Sequence, residues 1–308
     1  MAKAQPVEVD GRELTLTNLD KVMYPATGFT KGEAIDYYAR IAPLILPHIS
    51  GRPMTLKRYP EGVDAGHFFE KRCPKHRPEW VNTASIWSDR EDGEIAFCVC
   101  DDKPTLIWMA QLASLELHPS LSLAKRIERP TVLAFDLDPG EPANVIDCAR
   151  VALEVRELFG DLGLECFPKT SGGKGLQVYL PLNGSLTYET TKPYAQAVAQ
   201  LMERMHPDRI VSRMTKRLRK GKVFVDWSQN TESKTTVAVY SLRARERPTV
   251  STPLNWDEVS EAADSGDPRP IRFEAPDVLE RVAERGDLFA PVLELKQKLP
   301  AVEQLESV

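Results

Sequence analysis

The chain has 308 residues, of which 42% are hydrophobic, so it can bury a substantial core in one large α/β domain or in two smaller ones. A net charge of −5 argues against a protein that coats nucleic acid non-specifically, although the 40 Lys and Arg can still form a local basic groove. No apolar run approaches the ~20 residues that span a bilayer, and the first residues lack the apolar core of a signal peptide. We therefore expect a cytoplasmic protein without a membrane partner.

The N-terminal part predicts a short strand and a long helix. The strand spans residues 13–16, and the loop after it places Lys21 and Lys31 on either side of a turn that contains proline and glycine. Apolar residues at helical spacing predict a helix from about residue 31, which Pro43 and Pro47 should kink or shorten. On composition alone, the two lysines are ordinary solvated side chains.

Residues 51–80 mix basic and aromatic side chains. Phe68 and Phe69 are adjacent in a polar, glycine-containing stretch in which several lysines and arginines, Lys57 among them, occur. Basic residues interleaved with aromatic residues are typical of a surface that tracks phosphates and stacks on bases. The alternative is that both phenylalanines are core residues on an irregular loop.

The five cysteines, in a chain without a secretory signal, indicate reduced thiols rather than a disulfide framework. Cys73, His76, Cys98 and Cys100 offer four ligands for a structural zinc ion, but their spacing departs from paired Cys-x-x-Cys knuckles. Because Cys98 and Cys100 lie in an apolar alternating stretch, free buried cysteines fit the pattern better than zinc ligands.

The central stretch TVLAFDLDPG, residues 131–140, predicts a buried strand that carries Asp136 and Asp138 to its end. Side chains alternate along a strand, so the two carboxylates point to the same face. Two carboxylates held side by side repel each other, which indicates either a raised pKa or a bound divalent metal. A helix over residues 106–117, ending at His118, precedes this strand.

A helix over residues 144–159 and a strand over residues 164–167 follow the aspartates, which gives a β-α-β passage. The next motif is Ser171-Gly-Gly-Lys174-Gly, a tight turn between two strands. Its exposed backbone N–H groups, hydroxyl and ammonium suit phosphate oxygens, although the Walker A pattern is absent. The alternative is a glycine-rich hairpin with an incidental lysine.

The last third predicts a helix over residues 188–205, a basic run over residues 216–222 and a strand over residues 223–227. This strand presents a third carboxylate, Asp226, on the same face as Phe224, and an acid in an apolar strand needs a partner. Lys234 and Arg243 add positive charge after it. Helices over residues 276–285 and 288–298 look like a terminal packing element without chemistry.

FDLDPG, SGGKGLQVY and KVFVDWSQN, together with LTNLDKVMYPATGFTK and HFFEK, resemble the polymerase domain of bacterial ATP-dependent DNA ligase D, a branch of the archaeo-eukaryotic primase superfamily. The resemblance implies an α/β (α+β) primase-polymerase fold, in which helices flank a central mixed or antiparallel RRM-like sheet fused to an N-terminal α/β subregion. It also implies one domain over residues 1–308, with an N-terminal subregion (about 1–125), a catalytic core (about 126–255) and a C-terminal helical packing segment (about 256–308).

The resemblance also implies roles for individual residues. Two Mn²⁺ or Mg²⁺ ions, with manganese as the expected favourite, would be held by three aspartates: Asp136 and Asp138 bridging both ions, and Asp226 serving chiefly the ion nearest the primer end. The nucleotide would contact Lys57, His118, Ser171, Gly172, Gly173, Lys174, Gln177, Lys234 and Arg243. DNA would contact Lys21 and Lys31 through a 5′-phosphate, Phe68 and Phe69 by stacking on bases, and Lys216, Arg219 and Lys220.

The implied activity is addition of nucleotides, with a preference for ribonucleotides, to a primer 3′-end at gapped or broken DNA. The resemblance does not distinguish between end joining and short-gap excision repair as the pathway. The expected partners are DNA with a 5′-phosphate, NTP or dNTP, a separate ATP-dependent DNA ligase and Ku. The chain is expected to act as a stand-alone, nucleoid-associated monomer.

One position departs from the family pattern. Gln177 stands where such domains usually have His in the strand after the glycine turn, and glutamine donates a hydrogen bond but carries no proton or positive charge. This departure is the one support for a rival function, a DNA end-binding module with weakened catalysis. A second rival, a haloacid-dehalogenase-type phosphatase, shares the Asp-x-Asp strand but continues differently after it.

Overall fold

A computed structural model of the chain describes residues 4–307. Residues 1–3 and 308, which belong to the predicted N-terminal subregion and C-terminal packing segment, lie outside the described residues. The strands are β1 (Ala4–Val9), β2 (Arg12–Thr17), β3 (Val22–Tyr24), β4 (Phe29–Thr30), β5 (Pro53–Arg58), β6 (Phe68–Glu70), β7 (Thr83–Ser88), β8 (Gly93–Val99), β9 (Ser114–Pro119), β10 (Val132–Pro139), β11 (Phe167–Thr170), β12 (Leu176–Pro181), β13 (Ile210–Val211) and β14 (Val223–Asp226). The helices are α1 (Lys31–Ile49), α2 (Lys103–Gln111), α3 (Val145–Asp161), α4 (Tyr188–Met205), α5 (Trp256–Ser265), α6 (Ala275–Arg285) and α7 (Pro291–Glu294).

The chain forms two compact units. The first contains the described residues up to Lys125 together with Thr235–Ser251 and Glu274–Gly286. The second contains Arg126–Lys234, Thr252–Phe273 and the described residues from Asp287 onwards. No helix in the described part of the chain is long and apolar enough to cross a bilayer.

In the first unit, a five-stranded sheet has the order β6-β5-β8-β7, with β9 also paired to β5. Two tyrosine hydroxyls of helix α1 donate to backbone carbonyls at 2.8 Å: Tyr38 to Leu115 of β9, and Tyr37 to Tyr240, which lies outside the sheet. A capping box at Thr30 and Glu33 fixes the start of α1. The helix runs for 19 residues, so its two prolines do not shorten it.

The predicted helix over residues 106–117 is wrong in its position. Helix α2 begins earlier because the Asp102 side chain accepts a hydrogen bond from the Thr105 N–H, and it ends at Gln111. Ala113 then has a positive φ of 59°, which ends the helix and turns the chain into β9. His118 therefore lies on a strand. The buried side chains of β9 point to both faces, which hides the alternation that would predict a strand.

In the second unit, a mixed sheet has the order β11-β12-β10-β14-β13, and β13 pairs with β14 in parallel while the other pairs are antiparallel. The mixed sheet predicted from the resemblance is confirmed. Leu133, Phe135 and Leu137 of the central strand β10 lie in a continuous core with residues of α3, α4 and α5. The side chains that alternate with them, Asp136 and Asp138, are therefore on the opposite face.

Two predicted elements in this unit are wrong. The sequence predicts a strand over residues 164–167, but β11 begins only at Phe167, where pairing with β12 starts. Leu164 and Cys166 are apolar because they pack in the core ahead of the strand. The helix predicted over residues 288–298 is reduced to α7. The Gln297 side chain explains the early end, because it accepts from the Glu165 N–H at 2.7 Å and donates to the Pro181 carbonyl at 3.1 Å, which holds the chain in a non-helical path.

The prediction of free thiols is wrong for two cysteines. Cys73 and Cys98 form a disulfide, with Cα atoms 4.8 Å apart. The Cys73 N–H donates to the Ala96 carbonyl at 2.7 Å, which brings the loop to β8 and the two thiols together. Cys100 is free and buried, as predicted. The zinc alternative fails because the disulfide takes two of its four ligands.

Candidate active site

Four polar residues lie in one row across the second unit's sheet. Asp136 on β10 is directly opposite Asp226 on β14 and Gln177 on β12, and Gln177 is directly opposite Lys169 on β11. Directly opposed residues point to the same face of a sheet, so these side chains share one surface. Asp138 lies two residues further along β10 on that surface. The structure therefore brings together the three aspartates predicted from the sequence.

The electrostatics of this row are set by three neighbouring carboxylates, with the charge of the buried Lys169 opposing them. Burial, and then the neighbouring Asp138 and Asp226 carboxylates, raise the pKa of Asp136 to about 7. The Gln177 amide opposes this effect because its Nε2 donates to Asp136 Oδ1 at 3.1 Å. Gln177 thus holds the carboxylate at the centre of the row.

Asp226 also shapes the turn that follows it. Its Oδ1 accepts from the N–H and the hydroxyl of Ser228, at 2.8 and 2.6 Å, and its Oδ2 accepts from Gln229 Nε2 at 3.0 Å. Lys234, predicted from the sequence as a nucleotide contact, donates to the Ser228 hydroxyl and so lies against this turn. Sequence reasoning missed Ser228 and Gln229, although an Asp followed by Ser-Gln two and three residues later has the pattern of a helix cap.

The metal implied by the resemblance fits this face by its donor chemistry. Among residues 4–307, no three His, Cys, Asp or Glu side chains are already grouped to hold a metal ion, and both oxygens of Asp226 are engaged in its turn. The carboxylates nevertheless supply the oxygen ligands that Mg²⁺ and Mn²⁺ prefer, and their mutual repulsion is relieved by a cation. The buried Gln177 Oε1, which has no hydrogen-bond partner among the described residues, is a further oxygen on this face.

The glycine turn predicted as a phosphate site links β11 to β12. The Ser171 hydroxyl accepts from the N–H groups of Gly173 and Gly175, at 3.2 and 3.3 Å, so the side chain organises the turn from within. A Cβ on Gly175 would lie 2.0 Å from the Leu137 carbonyl oxygen, which shows how closely the turn approaches β10. Lys174 is exposed beside the turn, 3.4 Å from Glu141.

One of the three predicted basic DNA contacts in this unit lies over the Phe224 ring. The Arg219 guanidinium lies 3.7 Å from the centre of the Phe224 ring, and Phe224 is directly opposite Asp138. Lys216 and Lys220 lie in the same segment with exposed side chains. The segment therefore combines one arginine held against the aspartate-bearing strands with two lysines open to solvent.

Three of the predicted nucleotide-binding residues meet in the first unit. Lys57 on β5 is directly opposite Glu116 on β9, and His118 lies two residues further along β9. Arg243 reaches the same carboxylate, with its Nε 3.3 Å from Glu116 Oε2. Sequence reasoning missed Glu116 because it placed residues 106–117 in a helix.

The two adjacent phenylalanines point to opposite faces of their sheet. Phe69 is 57% exposed, with the Lys57 ammonium 5.4 Å and the His118 ring 6.0 Å from its centre. Phe68 is 44% exposed, with the Arg58 guanidinium 5.2 Å from its centre. Both are surface residues, so the alternative of a buried pair is wrong.

Lys21 and Lys31 lie in the first unit near Arg58, which sequence reasoning did not assign to the site. Lys31 Nζ donates to the Thr17 carbonyl at 2.9 Å, and Lys21 Nζ lies 2.6 Å from a Glu61 oxygen. Burial, and then the charges of Lys21 and Arg58, lower the pKa of Lys31 to about 8. A cluster of cations that repel each other in this way attracts an anion.

Comparisons with known proteins agree on one family. Residues 30–289 match the LigD primase-polymerase domain family. The "Multifunctional non-homologous end joining protein LigD" of Mycolicibacterium smegmatis is 45% identical over 279 residues, which cover 90% of this chain and 36% of the relative. The "Bifunctional non-homologous end joining protein LigD" of Bacillus subtilis is 31% identical over 278 residues, covering 90% of this chain and 44% of the relative. The chain thus spans less than half the length of these relatives.

A solved structure extends the match to three dimensions. The "Polymerase Domain from Mycobacterium tuberculosis Ligase D in complex with DNA" superposes with a TM-score of 0.83 at 43% identity, and the match covers 92% of this chain and 99% of that chain. The family and fold predicted from the sequence are confirmed, and the phosphatase alternative is removed. The chain belongs to the LigD primase-polymerase domain family.

Proposed function

We propose that this chain extends a primer 3′-end at a gap or break in DNA under the direction of a template. The observation that carries the proposal is that Asp136, Asp138 and Asp226 lie on one face of the second unit's sheet. Strand β11, which leads into the glycine turn, presents Lys169 on the same face. A primer hydroxyl attacks the α-phosphorus of the nucleotide, and pyrophosphate leaves.

The carboxylates of Asp136, Asp138 and Asp226 would hold divalent cations, two by the family pattern, with Mn²⁺ as the favoured ion. When bound, such ions supply positive charge that lowers the pKa of the attacking hydroxyl and neutralises the leaving pyrophosphate. Gln177 keeps Asp136 in place with its 3.1 Å hydrogen bond, and Ser228 and Gln229 do the same for Asp226.

In the second unit, the Ser171 hydroxyl and the Lys174 ammonium would contribute to binding of the triphosphate, while the N–H groups of Gly173 and Gly175 donate to Ser171 and shape the turn. In the first unit, Lys57, His118 and Arg243 form a separate set of cationic and hydrogen-bonding groups that we assign to the nucleotide. The Phe69 ring lies next to Lys57 and His118, so we propose that Phe69 stacks on a base at the nucleotide site. Phe68, on the other face with Arg58, is assigned to the DNA.

Lys21, Lys31 and Arg58 would bind the 5′-phosphate of the downstream strand. Since the pKa of Lys31 is about 8, its ammonium is present below pH 8 and is lost as the pH rises through 8. We expect the preference for 5′-phosphorylated over 5′-hydroxyl DNA to be largest near pH 7 and several-fold smaller at pH 9, measured as the ratio of the two dissociation constants.

Lys31→Arg is the matched control for this effect, because a guanidinium stays protonated at pH 9. The variant should keep its 5′-phosphate preference across the range. An equal loss of preference in wild-type protein and in Lys31→Arg would contradict the assignment to Lys31.

The lowered pKa of Lys31 also affects folding stability. Between pH 8 and the ordinary lysine pKa, Lys31 is protonated in the unfolded chain but not in the folded chain, so the free energy of unfolding rises with pH over this range.

Gln177 gives a second prediction. Gln177→Leu keeps the volume but leaves Asp136 without its donor, so we expect the rate of nucleotide incorporation to fall about tenfold, equivalent to about 1.4 kcal/mol. Gln177→His restores a donor and should stay close to wild type. Single-turnover incorporation rates measure both variants, and a Gln177→Leu protein as fast as wild type would show that the hydrogen bond has no role in the reaction.

The end-binding alternative is separated from the polymerase by one assay. A labelled primer on one-nucleotide-gapped DNA is incubated with Mn²⁺ and either ribonucleotides or deoxyribonucleotides, while binding of the same DNA is measured in parallel. A polymerase extends the primer and releases pyrophosphate, and faster use of ribonucleotides would support the implied preference. DNA binding without extension would favour the end-binding module.

The pathway is part of the proposal. The relatives are named as non-homologous end joining proteins, which favours end joining over short-gap excision repair. We propose that DNA ligation and end bridging by Ku accompany the synthesis. Adding Ku to a reaction on two separate DNA ends should increase extension across the break but not extension within a gap.

A further inference from the structure

A buried carboxylate lies at the centre of the first unit's basic cluster. Glu116 is 1% exposed and stands directly opposite Lys57 in the pairing of β9 with β5. A charged side chain at this depth is costly unless hydrogen bonds and opposite charges compensate it. The contacts of Glu116 determine which role it can have.

Glu116 Oε1 accepts from three donors on two segments. The Tyr59 hydroxyl and the Ala244 N–H both lie 3.2 Å from it, and Lys57 Nζ lies 3.4 Å away. These contacts join β5 to the segment that carries Arg243. A single oxygen therefore fixes the relative position of two stretches that are far apart in the sequence.

Glu116 Oε2 faces the two other predicted nucleotide contacts. His118 Nε2 lies 3.0 Å from it and Arg243 Nε lies 3.3 Å from it. Burial raises the pKa of Glu116, but the His118 hydrogen bond and the charges of Arg243 and Lys57 together lower it by more, so the net pKa is below the usual range. The carboxylate stays ionised and accepts on both oxygens.

An ionised carboxylate also sets the tautomer of His118. Because Glu116 can only accept, the proton on His118 must be on Nε2. Burial, together with the charges of Arg243 and Lys57, lowers the pKa of His118 despite the opposing effect of Glu116, so the ring is neutral at pH 7. Nδ1 then presents a lone pair, and the ring acts as an acceptor on its other side.

We infer that Glu116 is a positioning residue for nucleotide binding, which holds Lys57 and Arg243 as an anion-binding pair and keeps His118 in its Nε2–H form, with Nδ1 as an acceptor for an N–H or O–H group of the nucleotide. This inference rests on the proposed function, since it assigns those three side chains to the nucleotide. Glu116 itself does not contact the ligand. Its effect should appear in nucleotide affinity more than in the rate of the chemical step.

The first experiment measures binding of inorganic tripolyphosphate, without metal or DNA, to the full chain. In Glu116→Gln, an NH₂ group replaces one of the two accepting oxygens and meets donors, so we expect the dissociation constant to rise about 10- to 100-fold. Glu116→Asp keeps the charge and should lie between wild type and Glu116→Gln. In incorporation assays, the KM for nucleotide should rise by a similar factor while kcat changes less than about threefold.

Glu203→Gln is the matched control. Glu203 also accepts several hydrogen bonds, from the N–H and hydroxyl of Ser212 at 3.0 and 2.6 Å and from Arg213 at 2.9 Å, but none of these residues is assigned to the nucleotide. Its loss should leave tripolyphosphate binding unchanged. If Glu116→Gln does not fold, as judged by circular dichroism, the Glu116→Asp variant provides the comparison.

The second experiment reads the tautomer directly, by long-range ¹H–¹⁵N correlation of histidine-labelled protein at pH 7. His118 should show the neutral Nε2–H form in wild type and a change in tautomer population in Glu116→Gln. A neutral Nδ1–H form or an imidazolium in wild type overturns the inference, as does unchanged tripolyphosphate affinity in a folded Glu116 variant. Failure of the proposed function is distinguishable, because wild type would then not extend a primer whatever the Glu116 variants do.

Discussion

Replacing Asp138 by Ala is expected to lower nucleotide incorporation on gapped DNA by at least about a thousandfold while DNA affinity stays within about threefold of wild type. Asp138 is one of two carboxylates that β10 presents on the same face as Asp226. The substitution removes negative charge needed to hold the cations and adds no bulk. Single-turnover extension and equilibrium binding of the same substrate measure the two quantities.

Asp208→Ala is the control for this substitution, since Asp208 is exposed and lies outside the aspartate-bearing strands. It should incorporate nucleotides at the wild-type rate. Undiminished synthesis by Asp138→Ala would refute the assignment of the carboxylate face as the active site. Loss of DNA binding and synthesis together would indicate a damaged fold instead.

Gly175→Ala is the second substitution with a large expected effect. An added Cβ would lie 2.0 Å from the Leu137 carbonyl oxygen. Because the backbone fixes the position of a Cβ and the oxygen belongs to the backbone of β10, a rotamer change cannot relieve the clash. We expect a loss of about 3 kcal/mol in the free energy of unfolding, together with loss of incorporation, because the glycine turn is pushed away from β10. Urea denaturation measures the stability change.

Gly160→Ala in α3 is the matched control, since its added Cβ meets no atom within 4 Å. Alanine has the higher helix propensity, so this variant should be more stable by about 0.5 kcal/mol and fully active. A Gly175→Ala protein as stable as wild type would mean that the turn does not approach β10 as closely as described.

The sequence predicted the parts of the site that depend on local patterns. Asp136 and Asp138 share a face because residues two apart on any strand do, and the glycine turn was evident from Ser171 to Gly175 because glycine tolerates backbone conformations that other residues avoid. Asp226 was recognised as an acid in an apolar strand. Its pairing opposite Asp136 is a long-range register, which no local pattern encodes.

The features that escaped prediction depend on contacts between distant segments. Glu116 was hidden because the buried strand β9 lacks the alternation that distinguishes strands from helices. The Cys73–Cys98 disulfide forms because a backbone hydrogen bond to Ala96 brings a loop to β8. The opposite orientations of Phe68 and Phe69 follow from the pairing of β6 with β5, whereas the sequence showed only two adjacent aromatic residues.

The most direct test of the central claim is the identity of the nucleotide added by the wild-type chain. Four one-nucleotide-gapped substrates that differ only in the template base, each with a downstream 5′-phosphate, are incubated with Mn²⁺ and one nucleotide at a time. The account predicts that each template directs addition of its complementary nucleotide. Absence of addition on all four substrates, or addition that ignores the template base, would contradict it.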